Sequence, residues 1–137
     1  MHRTHRVLVV DDEQGILSAL DTHLSLLGYE VRTCDNAEDA ILLIEVEKFH
    51  IVLTDINMPG MNGIEFLKKI KSIKPTIQVI MMTAFSSFEK IVDCWEAGAS
   101  DYILKPFAEF NIVGDIINLT SERIKRWEAS AKKSIKK

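Results

Sequence analysis

Residues 51 to 63 read IVLTDINMPGMNG: an apolar-rich run ends in Asp55 and passes into a turn carrying Pro59, Gly60 and Gly63. An unpaired charge is costly to desolvate, so a strand meant only for packing keeps carboxylates out of its run. Asp55 therefore either caps the turn or has a chemical task. The rest of the chain decides between them.

Similar runs recur on both sides of this stretch. RVLVV (6 to 10), YEVRT (29 to 33), HIVLT (50 to 54), IQVIMM (77 to 82) and DYILK (101 to 105) read as strands. Several are nearly continuous apolar runs, as in parallel sheets covered on both faces. Between them apolar residues fall three and four apart. Ile16, Leu20, Leu24 and Leu27 line a first helix that Gly28 ends; Ala37, Ala40, Ile41 and Ile44 line a second, with Asn36 as its cap. Ile64, Leu67, Ile70 and Ile73 line a third, before Pro75. Phe88, Ile91, Val92 and Trp95 line a fourth, capped by Ser86 or Ser87 and stopped by Gly98. A strand and helix alternating five times implies right-handed crossovers and an α/β doubly wound parallel sheet. Ligands of such sheets bind beyond the carboxyl ends of the strands, where strand order reverses.

The chain has 137 residues, of which 47% are hydrophobic and 27% charged. That is enough for one hydrophobic core and too little for two. Its apolar runs, such as VLVV and ILLI, are far short of a membrane span of roughly 20 residues. MHRTHRVLVVDDE has too short an apolar run for a signal peptide, so a cytoplasmic protein is expected. Cys34 and Cys94 form no CxxC pair and read as reduced thiols. The net charge of −3 divides unevenly: residues 123 to 137 hold seven Lys/Arg against one acid, net +6, leaving −9 for the first 122 residues.

At the strand ends stand Asp11, Asp12 and Glu13, then Asp55, then Thr83 and Ala84, then Lys105 and Pro106. Each has a plainer reading taken alone. Acids opening a helix complement its dipole, Asp55 suits a turn, Thr83 suits a cap, and Lys105 suits solvent. Their joint occurrence at different strand ends of one sheet is harder to explain that way. Converging carboxylates raise one another's pKa unless a cation neutralises them. Lys105 supplies one positive charge, and a hard divalent ion such as Mg2+ suits the rest.

The stretches VLVVDDE, VLTDINMPGMNGIEFL, VIMMTAF and AGASDYILKPF together resemble the receiver domain of bacterial two-component response regulators, from about Val7 to Leu119. The resemblance implies a flavodoxin-like five-stranded sheet of order 2-1-3-4-5 with five helices. It implies Asp55 as phosphoacceptor, taking its phosphoryl group from a sensor histidine kinase or phosphotransfer protein. Asp12, Asp55 and the Asn57 carbonyl would ligate Mg2+ directly, and Asp11 through water. Lys105 and the Thr83 hydroxyl would contact the phosphoryl oxygens. Thr83 and Tyr102 would form a switch pair acting on the surface of the fourth helix, fifth strand and fifth helix. The domain would catalyse only its own phosphorylation and dephosphorylation. A small Ala84 leaves space for phosphate, the bond before Pro106 is a candidate cis peptide, and Asn57 and Phe85 stand where water access is tuned. A bulky Phe85 suggests slow dephosphorylation.

After KPF a fifth helix is expected from near Glu109, with helix-compatible sequence to Lys137. Val113, Ile117, Thr120, Ile124, Trp127 and Ala131 step by 4, 3, 4, 3 and 4, a heptad spacing that core packing of its first half partly explains. The division expected is a receiver over residues 1–120 and a basic helical extension, a candidate linker, over 121–137. Trp127 would pack on the domain, on a second copy, or on chain outside this sequence. Homodimers through the fourth helix, fifth strand and fifth helix or through the C-terminal helix fit this reading. DNA contact is not expected of this chain alone, since there is no room for a helix-turn-helix module. The continuation favours, slightly, a receiver cut from a longer regulator over a stand-alone one. Two rivals fit less well: an aspartyl phosphohydrolase needs DxDx[TV] where this chain has DDEQG, and a flavin protein needs a phosphate loop where this chain has acids.

Overall fold

A computed structural model describes residues 5–84, 87–105 and 110–135. Five strands and five helices alternate: β1 (Arg6–Val10), α1 (Gln14–Leu26), β2 (Glu30–Cys34), α2 (Ala37–Val46), β3 (Ile51–Asp55), α3 (Gly63–Ile73), β4 (Gln78–Thr83), α4 (Phe88–Glu96), β5 (Asp101–Leu104) and α5 (Asn111–Ile135). The strands form one sheet in the order β2-β1-β3-β4-β5, and all of its pairings are parallel. The fold expected from the sequence is the fold found.

Alternation along each strand divides the core into two layers. Leu8, Val10, Val52, Val79 and Met81 face one way and meet Ala40 and Ile44 of α2, Phe66, Leu67 and Ile70 of α3, and Cys94 of α4. Val7, Val9, Leu53, Ile80 and Met82 face the other way and meet Leu17, Leu20 and Leu24 of α1 and Val113 and Ile117 of α5. Fully burying one such side chain contributes roughly 1.5–3 kcal/mol, so these two layers supply most of the driving force. The layer of α1 and α5 closes tightly. A Cβ on Gly114 would stand 2.8 Å from Leu27 Cδ1 and 2.9 Å from His23 Nε2, so α5 lies directly against α1 there.

The caps follow the sequence. Asn36 accepts the Asp39 N–H, Ser87 accepts the Lys90 N–H, and Asn62 forms a capping box with Glu65. Gly28 and Gly98 follow α1 and α4 at φ of 97° and 99°, the left-handed region that ends helices at low cost. Ser86, Glu109, Phe85 and Pro106 lie outside the described residues.

Three readings need correction. β2, β3 and β4 each start and finish one residue later than the apolar runs suggest, and β5 stops at Leu104. Asp55 and Thr83 are thus the last residues of their strands, paired with Met82 and Leu104, and Lys105 follows β5 directly. The ladder carries on because the Lys105 N–H still reaches the Thr83 carbonyl at 2.8 Å.

In α4 the apolar stripe faces outward: Phe88 is 82% exposed and Trp95 77%, while Cys94 is buried. Periodicity identified an amphipathic helix but not which side meets the sheet. The side carrying Cys94 and Ala97 is small enough to approach it.

The heptad seam in α5 splits. Val113, Ile117 and Thr120 are wholly buried and Ile124 packs on the core, whereas Trp127 is exposed.

Candidate functional site

The reversal of strand order falls between β1 and β3, and the carboxylates stand there. Asp11 and Asp12 follow β1, and Asp55 ends β3. One carboxylate oxygen from each lies within 4.8 Å of the other two. Asp11 is fully buried, Asp55 is 5% exposed, and Asp12 is exposed.

Lys105 enters from the end of β5. Its Nζ is 2.5 Å from Asp11 Oδ2, 3.5 Å from Asp55 Oδ2 and 3.9 Å from Glu13 Oε1. Burial alone would depress this lysine. The hydrogen bond to Asp11 and the charges of Asp11, Asp55 and Glu13 outweigh it and hold the ammonium above its ordinary pKa. Asp55 is pushed up from the usual carboxylate range, chiefly by burial and further by Asp11; Lys105 and the backbone N–H groups of Asn57 and Ile56 only partly offset this. The site carries more negative charge than its one lysine balances. That imbalance fits a divalent cation held by oxygen ligands, and Asp11, Asp12 and Asp55 are the residues that would hold it.

The loop after β3 is fixed from several sides. The Gly63 N–H donates to the Ile56 carbonyl at 2.8 Å. A Cβ on Gly63 would sit 2.7 Å from Ile56 Cα and closer still to the Asp55 carbonyl oxygen, so only glycine fits. The Asn57 N–H faces Asp55 Oδ1 at 3.4 Å, and its Nδ2 faces Thr83 Oγ1 at 3.4 Å. Glu38 of α2 accepts the Met61 N–H at 3.1 Å, a support that sequence reasoning missed because nothing local links the two residues. Thr83 is wholly buried at the end of β4. Tyr102 lies half-buried in β5, opposite Met81, and packs on the layer beneath α3 and α4. Asp11, Asp12, Asp55, Asn57, Thr83 and Lys105 are therefore brought together, with Tyr102 one strand away.

Fold and site define a doubly wound α/β protein with an acidic, cation-seeking centre at its switch point. A family model, the response regulator receiver domain, matches residues 7–117. The chain is 38% identical to the response regulator protein FleR of Pseudomonas aeruginosa over 102 residues, which are 74% of this chain and 22% of FleR. It spans about a quarter of FleR and of the similar regulators ZraR and AtoC. Among solved structures, a CheY-like receiver domain protein from Methanospirillum hungatei superposes with a TM-score of 0.83 at 35% identity, covering 90% of this chain and 99% of that one. The response regulator TrrA of Thermotoga maritima, solved with Mg2+ and BeF, superposes at 0.77 with 32% identity over 85% of this chain and 99% of its own. The chain belongs to the response regulator receiver domain family. It is a two-component signalling domain, and among the described residues no helix is long and apolar enough to cross a membrane.

Proposed function

We propose that Asp55 accepts a phosphoryl group from a phosphohistidine of a sensor histidine kinase or phosphotransfer protein. One observation carries this reading: a buried carboxylate, raised in pKa by burial and by Asp11, stands at the switch point within 3.5 Å of Lys105. An Asp55 oxygen attacks phosphorus in line, the O–P bond forms as the N–P bond breaks, and the departing imidazole nitrogen takes up a proton. Asp12, Asp55 and the Asn57 carbonyl, with Asp11 through water, would hold Mg2+, which would supply charge neutralisation between carboxylate and phosphoryl oxygens. Lys105 pairs with one phosphoryl oxygen and the Thr83 hydroxyl donates to another. The chemistry is self-catalysed and ends with hydrolysis of the acyl phosphate.

Drawing Thr83 toward the phosphoryl group lets Tyr102 turn inward and changes the α4-β5-α5 surface. The exposure of Phe88, Ile91, Trp95, Leu104 and Leu119 on these elements supports a protein partner there, a second copy or an output domain. No DNA contact is assigned to this chain, and the setting is cytoplasmic.

Treatment with acetyl phosphate or beryllofluoride in Mg2+ tests the reading. With acetyl phosphate the wild type gains one phosphoryl mass, and with either reagent its tryptophan fluorescence changes; Asp55→Asn shows neither response. An equal response in both proteins overturns it.

A further inference from the structure

At the opposite end of the sheet, where the strands begin, a second group of ionisable side chains converges. His5 precedes β1 and is 1% exposed. Its Nδ1 lies 2.6 Å from Ser121 Oγ and its Nε2 3.0 Å from Glu128 Oε1, both on α5. The His50 ring, just before β3, stands 4.7 Å from that of His5 at a tilt of 44°. His50 is itself bound to the strand beside it, since its Nδ1 accepts the Arg6 N–H at 3.0 Å and its own N–H donates to the Arg6 carbonyl at 3.0 Å.

Two imidazoles and a carboxylate within 4.8 Å have the composition of a transition-metal site. The tautomer argues against it. Accepting from Arg6 leaves the His50 proton on Nε2, so neither nitrogen offers a lone pair unless the backbone bond breaks. The cluster is closed on itself.

We propose that His5, His50, Ser121 and Glu128 form an intramolecular clasp binding the C-terminal part of α5 to the foot of the sheet. The receiver body then runs to residue 128 rather than 120, and the basic segment beyond leaves in a fixed direction. Ser121 is buried to the same degree as His5, and Ile124 packs on the core. Past Ile124 the helix stands off the sheet: a groove lined by Phe49, His50, Pro75, Ile124 and Trp127 opens beneath it. Apolar packing therefore does not hold that turn, and the His5–Glu128 contact spans the gap.

Amide hydrogen exchange on the full chain tests the clasp. Glu128 is 45% exposed, so Glu128→Ala leaves the core intact. For an unattached helix this substitution raises helix propensity and slows exchange nearby. The clasp requires the opposite sign: amides of residues 124–128 exchange at least about tenfold faster in Glu128→Ala while those of α1 and β3 are unchanged. In a Trp95→Phe background, Trp127 of the wild-type clasp tumbles with the domain, and Glu128→Ala adds a fast component to its anisotropy decay. Unchanged or slower exchange in the variant, or a fast Trp127 component already present with Glu128 in place, overturns the proposal.

Discussion

The two ends of one sheet each gather ionisable side chains, and they do so in opposite ways. At the upper rim Asp11, Asp12, Glu13 and Asp55 face, among the described residues, a single lysine. At the foot, His5 bridges Ser121 and Glu128 while His50 is engaged by Arg6. The rim is left with surplus negative charge and a carboxyl of raised pKa. In the foot Ser121 and Glu128 satisfy both nitrogens of His5. Surplus charge is what a ligand must correct, and closure is what a structural contact needs, so the balance of partners separates a site from a joint more sharply than residue type does.

The contrast is most directly broken by adding a divalent cation. Mg2+ at about 100 times its Kd stabilises a folded state that binds it by about 2.7 kcal/mol. Thermal melts of the wild type, with Mg2+ titrated to saturation, should show a rise approaching this scale, largely lost in Asp11→Asn. A variant that keeps the full rise would mean that the rim does not hold the ion.

A smaller effect follows from Asp55 itself. Its folded pKa is raised, so the folded state holds the proton more tightly than the unfolded chain does. Its contribution is present at low pH and disappears as pH rises from the ordinary value of 3.8 through the folded value. Metal-free Asp55→Asn should accordingly melt higher than wild type at pH 7, with the gap closing in acid. A less stable variant at pH 7 would contradict the charge imbalance.

The foot gives the smallest effect, with a different pH dependence. His50 is held below its ordinary pKa by burial, by His5 and by Lys48, with Arg6 adding to this and Glu128 opposing it. The unfolded chain takes up that proton first, so stability falls as pH drops below 6.5 until the folded value is passed. Denaturant titrations between about pH 7 and 5 should show a loss of stability that His50→Gln reduces. The same slope in both proteins would remove His50 from the account.

Much of this was legible in the sequence because of where the signals sit. Buried parallel strands are near-continuous apolar runs, and the residues that follow them lie on one rim, so RVLVV with Asp11 and Asp12, and IVLTD with Asp55, carried both fold and site. What escaped had no local signature. The His5 contacts with Ser121 and Glu128 span 116 and 123 residues, and Glu38 reaches Met61 across 23. The inverted α4 failed differently. Its period was right, but the larger apolar side chains proved to be on the outer face, and the small Cys94 side met the sheet.

The contact at Gly114 limits how α5 can respond to anything at the rim. With no room for a Cβ between the helix and the His23 and Leu27 side chains, α5 slides or rolls there only as those side chains give way at the end of α1. Swinging about that point disturbs them least. Glu128 lies fourteen residues on, about 21 Å at 1.5 Å per residue, so one degree of swing carries it about 0.4 Å. Held at that far end by His5, the helix is braced at both points, a strut rather than a free lever, and a push at the rim meets the stiffness of the whole molecule.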